Sequence, residues 1–248
     1  MGENIIRVMS YNICRYNNDE SKDPGFPPEI MDRKITNLKQ MLMEYGPDFV
    51  GLQEDTKYID RACTKQARTA LFTPVWRFVQ GTTETTLRAK YGAVSGSFQL
   101  MRFSTGRFYG KVIFDYTPAK KKILFVSLHA SAYTMNEPSR KKEYNELFNF
   151  IFQQKGWDHC IVTGDFNVNT SNDKALLTSL CDETGFKMAI GSYMPWIPTC
   201  FGHNGDQELS FDNILVSYKM EIKRTKVLYD WYSDLYSDHL PVICDIAL

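Results

Sequence analysis

No stretch of this 248-residue chain approaches the roughly 18 uninterrupted apolar residues of a membrane span. The opening residues run straight into strand-like sequence with no basic-then-apolar leader. A stable membrane association is therefore not expected, although a Met1-Gly2 start leaves room for a leader removed before it. There is no Cys-x-x-Cys spacing among the six cysteines, which argues against a zinc knuckle or a thioredoxin-type site. Cys160 and Cys244 sit inside apolar, strand-like runs and Cys14 adjoins a polar motif. Buried reduced thiols, and with them a cytoplasmic location, are the expectation, while an even count also permits bridges. Neither sign of charge is in excess: 29 basic and 29 acidic residues sum to a formal net charge of zero. No global field therefore recruits a polyanion, and any nucleic-acid contact must come from local patches. Pro/Ser/Gly-rich linkers, charge blocks and internal repeats are also lacking, so residues 1–248 are expected to form one domain.

What the chain does have is a series of short polar clusters that interrupt β-branched, apolar runs. Ile5-Ile6-Arg7-Val8-Met9-Ser10-Tyr11 runs into Asn12, and Pro47-Asp48-Phe49-Val50-Gly51-Leu52-Gln53 delivers Glu54. Lys122-Ile123-Leu124-Phe125-Val126-Ser127-Leu128 ends on His129, and Gly164-Asp165-Phe166-Asn167 follows the run Cys160-Ile161-Val162-Thr163. Asp212 lies in Ser210-Phe211-Asp212-Asn213-Ile214-Leu215-Val216-Ser217, and Asp238 and His239 lie in Ser237-Asp238-His239-Leu240-Pro241-Val242. Polar groups on loops at the ends of buried strands are where catalytic side chains are commonly carried. Taken singly, Asp, Asn and Ser at such places are ordinary turn formers. Taken together, several carboxylates, amides and imidazoles without clustered thiols suit a hard divalent cation.

The ordered series Ser-Tyr-Asn, Gly-Leu-Gln-Glu, Ser-Leu-His, Gly-Asp-Phe-Asn, Phe-Asp-Asn-Ile-Leu-Val-Ser and Ser-Asp-His-Leu-Pro-Val, from Asn12 to His239, resembles the endonuclease/exonuclease/phosphatase superfamily. These are the deoxyribonuclease I-like metal-dependent phosphodiesterases. The resemblance implies an α/β (α+β) fold of two packed β-sheets flanked by helices, a four-layer sandwich. Periodicity alone leaves a doubly wound sheet equally open. It predicts helices from Pro27-Pro28 to Gly46-Pro47, from Pro138 to near Gly156 and from Asn172 to Glu183. Strands are expected at Phe72–Val79, Tyr91–Arg102, Phe108–Tyr116 and Lys122–Leu128, with Thr117-Pro118-Ala119 as a hairpin turn.

Hydrolysis of a phosphodiester requires that its charge be neutralised and that an in-line water be deprotonated. Glu54, a long carboxylate at a strand end, is the first choice for direct Mg²⁺ ligation (Mn²⁺ being an alternative), with Asn12 and Asp238 as nearby oxygen donors. By the resemblance, Asp165 deprotonates the attacking water while Asn167 holds that water or a phosphate oxygen, the two facing one side of an extended loop. His239 would stabilise the phosphate's charge or take part in proton transfer, and Asp212 would hydrogen-bond its ring. His129 would stand on the other side of the scissile phosphate, protonating the leaving oxygen or bracing the phosphate, with Glu84 as a candidate partner. A histidine at 129 sides with deoxyribonuclease I-like, sphingomyelinase-like and phosphatase-like members and not with abasic-site endonucleases.

Substrate contacts are expected at Thr199, in the loop Ser192–Phe201, and at Asn167 and Arg107. Tyr193 and Trp196 are readable either as stacking surfaces or as packing under that loop. Arg15-Tyr16, Lys120-Lys121-Lys122 and Arg140-Lys141-Lys142 are each either a solvated edge or a phosphate contact. The expected activity is Mg²⁺-dependent cleavage of DNA. Alternatives are a phosphatase or phospholipase-type hydrolase of a phosphoinositide, a sphingolipid or another small phosphoester, and a catalytically silent binding module on the same fold. The complete polar set argues against the silent module.

Overall fold

The computed structural model describes residues 4–13, 28–54, 78–81, 85–132, 137–201, 208–231 and 237–248. In chain order these form β1 (Ile5–Asn12), α1 (Pro28–Tyr45), β2 (Phe49–Gln53), β3 (Phe78–Gly81), β4 (Thr85–Ala89), β5 (Gln99–Arg102), β6 (Phe108–Tyr116) and β7 (Lys121–His129). Then follow α2 (Glu137–Gln153), β8 (His159–Asp165), α3 (Ser171–Thr184), β9 (Lys187–Met188), β10 (Asp212–Val216), β11 (Glu221–Val227), a 3₁₀ turn at Tyr229–Trp231 and β12 (Val242–Ala247). One six-stranded sheet has the order β11-β12-β1-β2-β4-β3 and the other the order β5-β6-β7-β8-β10-β9. Both are mixed, with one parallel pair each, β1 with β2 and β7 with β8.

The alternation of side chains along each strand sorts the chain into layers. Ile6 and Val8 of β1, Phe49 of β2, Phe114, Phe125, Ile161 and Val216 point into the space between the sheets. There Phe49 meets Phe114 and Phe125 at ring-centroid distances of 5.3 and 5.4 Å. The opposite faces are covered too: Leu124, Val126 and Val162 pack against Tyr144, Leu147 and Leu177 of α2 and α3. Met9, Tyr11 and Val50 pack against Leu38, Met41 and Leu42 of α1. This gives helix, sheet, sheet, helix, the four layers expected. Burial on both faces explains why β7 and β8 read as continuous apolar runs.

Local chemistry sets the ends of the helices. Thr170 caps α3 through a capping box with Asp173, and Gly185 closes it at φ 72°. Gly46, at φ 54°, ends α1 and donates its N–H to Leu42 O. The expected strand Tyr91–Arg102 is not continuous. Ala93 makes an isolated bridge to Phe114, Gly96 turns the chain at φ 71°, and regular pairing resumes only at β5. The Ser97 hydroxyl takes over the intervening role, bonding both N and O of Ile113 at 3.1 Å. Of the expected strand Phe72–Val79, residues 72–77 lie outside the described residues. No helix among those described is long and apolar enough to cross a membrane.

Towards one end of the strands the inter-sheet layer becomes polar, where Ser10, Gln53, Thr85, Ser127 and Thr163 are all buried. Gln53 Nε2 donates to Ser127 Oγ at 3.2 Å, and Thr85 Oγ1 lies 2.7 Å from the same oxygen. Gly51 lies at this crossing. A Cβ there would stand 2.0 Å from Thr163 Oγ1 and 2.9 Å from Ser127 Oγ. Gly51→Ala is therefore expected to cost about 1–3 kcal/mol in urea unfolding through overpacking, with part of the loss recovered in a Thr163→Ala background. A wild-type midpoint for the single variant would mean that the sheets part locally at no cost.

Candidate active site

Strand direction collects the polar clusters at that same end. The parallel pairs align Asn12 with Gln53, the residue before Glu54, and His129 with Asp165. The antiparallel pair β8/β10 sets Asp212 directly opposite Asp165. Because Ser10 pairs with Val242, the residues that precede β12, Asp238 and His239, arrive beside Asn12. Residues 226 positions apart in sequence, Asn12 and Asp238, thus come to the same end of the strands.

Asp165 is its centre. Asn12 Nδ2 donates to Asp165 Oδ2 at 2.9 Å and lies 3.4 Å from Glu54 Oε1. The Asn167 N–H donates to Asp165 Oδ1 at 2.9 Å. His129 Nε2 stands 3.5 Å from Asp165 Oδ2 and 3.9 Å from Glu54 Oε1, and His239 Nε2 stands 3.8 Å from Asp165 Oδ2. Burial pushes the Asp165 carboxyl up to about 7 against the opposing pull of His239, with neighbouring Asp212 adding to the rise and the Asn12 and Asn167 bonds reducing it. His239 Nδ1 is 2.8 Å from Asp212 Oδ2. Burial disfavours its charged form, but the Asp212 and Asp165 carboxylates outweigh that and hold the imidazolium well above the usual histidine range. Burial also raises Asp212, with the His239 charge and hydrogen bond opposing it.

Several expected residues have a different local role from the one anticipated. Asn167 is not in an extended loop: its φ of 52° is left-handed, and its Nδ2 donates to Ala130 O at 3.1 Å. Thr199 is fully buried and its Oγ1 accepts the Asp212 N–H at 2.9 Å, so it braces Asp212 instead of facing solvent. Arg140 is buried and pairs with Asp173 at 2.7 Å, which removes it from any surface patch, whereas Lys141 and Lys142 are exposed. Lys120–Lys122 lie at the start of β7, eight residues and roughly 26 Å from His129 at its end. Arg107 stays partly exposed on the β5–β6 hairpin, which opens at the His129 end of its sheet because Tyr109 pairs with Leu128. Trp196 packs against both cores and Lys174 lies over its ring at 5.5 Å. The Tyr193 hydroxyl reaches Lys223 O at 2.8 Å. Glu84, Arg15 and Tyr16 lie outside the described residues, as do Cys14 and Cys63, and the four described cysteines are buried and form no disulfide with one another.

The sequence reading missed the supporting shell. Ser237 Oγ donates to Asn12 O at 2.9 Å and accepts the His239 N–H at 3.1 Å, tying two strand ends together. On α2, Arg140, Glu143 and Tyr144 are buried in the same stripe as Leu147, Phe148 and Ile151. Polar residues at helical spacing within an apolar stripe were the available signal.

Two close groups among the described residues could hold a metal ion, Asp165/Asp212/His239 and Cys200/Asp238/His239. In the first, the Asp212–His239 hydrogen bond already engages the ring, and the second offers a thiol, which a hard cation disfavours. Of the expected ligands, Asp238 falls in the second group, while Glu54 Oε1 lies 3.4 Å from Asn12 Nδ2; oxygen donors of this kind suit a hard divalent cation.

Residues 9–239 match the family described as the Endonuclease/Exonuclease/phosphatase family. Among solved structures, an endonuclease/exonuclease/phosphatase from Bacteroides vulgatus superposes with a TM-score of 0.76 at 19% identity, covering 99% of this chain and 100% of that one. A mannosyl-6-phosphatase from Bacteroides thetaiotaomicron gives 0.68 at 20% identity, over 98% and 100% of the two chains. TDP2 of D. rerio, complexed with single-strand DNA product, gives 0.67 at 13% identity, over 98% and 99%. At these identities the likeness establishes the fold. No curated protein matches in sequence.

Proposed function

The chain belongs to the endonuclease/exonuclease/phosphatase family, and from that premise we propose that it is a Mg²⁺-dependent phosphodiesterase acting on DNA. The observation that carries the reading is Asp165, a buried carboxylate held by two N–H donors and faced by two histidines. A carboxyl raised to about 7 is suited to accept a proton from water near neutral pH. A divalent cation at Glu54, with Asn12 and Asp238 beside it, would neutralise phosphate charge.

The rest is done by the chain's own groups. Asp165 takes the proton as water oxygen bonds to phosphorus, and Asn12 and the Asn167 amide fix the carboxylate's orientation. His239, kept protonated by Asp212, turns its Nε2–H towards the phosphate oxygens. His129 stands on the other side of Asp165, placed to protonate the departing oxygen as the ester bond breaks. Arg107 is the remaining basic candidate for holding the substrate on that side.

A second reading, a small phosphoester as substrate, is favoured by one observation: of the basic clusters, Arg140 is internal and Lys120–Lys122 lie far from the site. Supercoiled plasmid incubated with Mg²⁺ is expected to be nicked, and EDTA to abolish nicking. Plasmid left intact while a sugar phosphate is hydrolysed would establish the second reading. Failure on both, with metal present, would sink phosphoester hydrolysis altogether.

A further inference from the structure

We infer that Tyr144 is a positioning residue for Asp165 and Asn167, acting through the peptide unit that joins Phe166 to Asn167. The inference rests on the reading of Asp165 as the base. Tyr144 is fully buried on α2 and its hydroxyl donates to Phe166 O at 2.5 Å. The N–H at the other end of the same peptide, that of Asn167, donates to Asp165 Oδ1 at 2.9 Å. One peptide plane is thus held at both ends, by a helix on one side and by the catalytic carboxylate on the other.

That grip opposes a specific relaxation. Asn167 is left-handed at φ 52°, a conformation that asparagine tolerates better than most non-glycine residues but that is still less favourable for it than the extended one. The simplest release is rotation of the Phe166–Asn167 peptide, which changes ψ of 166 and φ of 167 together. Rotation would carry the Asn167 N–H away from Asp165 and leave the carboxylate with one donor fewer. Tyr144 meets the carbonyl that would have to swing.

The helix bearing Tyr144 is itself anchored to both catalytic loops. One turn before, Arg140 pairs with Asp173, whose Oδ2 also accepts the Thr170 N–H at 3.0 Å in the loop after β8. Glu143 accepts the Ser131 N–H at 2.7 Å, two residues beyond His129, and is bonded by Thr105 from the hairpin that carries Arg107. Three consecutive contacts from one helical face therefore set the loops of His129 and Asp165 relative to each other. A space-filling role would rest on the ring alone, which packs 6.1 Å from that of Phe166. The hydroxyl distinguishes the two roles.

The test compares Tyr144→Phe with Phe148→Leu, a buried change one turn along the same helix whose ring packs 5.7 Å from that of Phe186. Two readouts are used: the amide resonance of Asn167 in ¹⁵N-labelled protein without metal, and kcat and KM on bis(p-nitrophenyl) phosphate with Mg²⁺. For Tyr144→Phe the Asn167 amide is expected to lose the downfield position of a carboxylate-bonded N–H. Its kcat should fall about 10- to 100-fold, the cost of misplacing a reacting group by about 1 Å, with KM within about twofold. Phe148→Leu should lower the melting temperature and leave both readouts unchanged. An unmoved Asn167 amide overturns the clamp, and a moved amide with unchanged kcat overturns its role in positioning. If the wild type hydrolyses nothing, the reading of Asp165 as the base fails, while the amide resonance still decides the clamp.

Discussion

Asp165→Asn is expected to lower kcat by about 10²- to 10⁴-fold while leaving the fold intact. The substitution keeps the volume of a side chain that is almost wholly buried between the sheet ends, so no cavity forms. What changes is charge and direction of donation. Oδ1 and Oδ2 now accept from the Asn167 N–H and from Asn12 Nδ2, and an amide nitrogen in place of either oxygen sets donor against donor. It also cannot take a proton from water. Because burial raises the carboxyl to about 7, ionising the native side chain costs stability. The variant should accordingly melt near the wild-type temperature, the loss of the buried charge offsetting the unpaired donor. Activity within tenfold of wild type would place the base elsewhere. The check is steady-state kinetics with Mg²⁺ beside a thermal melt.

Arg140→Met should be the most damaging substitution for stability, costing about 3–5 kcal/mol in urea unfolding. Arg140 and Asp173 are 1% and 0% exposed and joined by two hydrogen bonds, at 3.0 and 2.7 Å. Removing the guanidinium strands a buried carboxylate, and the N–H groups of Asn169 and Thr170, at 3.3 and 3.0 Å, offset only part of that. The Asp173 carboxyl is held below its ordinary value in the folded protein: burial would raise it, and the Arg140 and Thr170 bonds more than reverse that. Its contribution is therefore present above the unfolded carboxylate range and lost as pH falls through the folded value. Adding Asp173→Asn to Arg140→Met is expected to restore part of the loss, since the stranded charge is gone. A single-variant cost below about 1 kcal/mol would mean that the pair is no better than an exposed one.

The legibility of the site differs by layer. Asn12, Glu54, His129, Asp165, Asp212 and His239 stand out in the sequence because each interrupts or ends an apolar run, and strand ends are read from that change of pattern. Their supports do not stand out. Ser237 looks like any loop serine, and Arg140 hides in an Arg-Lys-Lys run whose other two members are exposed. Thr199 was anticipated at the substrate, yet its hydroxyl is turned inward onto Asp212. Left-handed φ at Glu54 has no sequence signature, and at Asn167 only the weak one that asparagine enters this region more readily than most residues. The strand broken at Gly96 shows the same limit, since composition there reads as extended chain and a serine hydroxyl replaces part of the ladder.

By itself the sequence determined which residues are candidates to carry chemistry, the strand and helix periods that bury them, and the family. Those are properties of order and alternation along the chain. The tertiary structure decided what each group faces. Parallel pairing of β1 with β2 and of β7 with β8 brings four strand ends to one side, and antiparallel pairing adds Asp212, Asp238 and His239 there. Hydrogen-bond partners, burial and the proton affinities that follow from them depend on distances between residues remote in sequence. No local pattern encodes those distances, because they arise only when strands pair and the layers pack on one another.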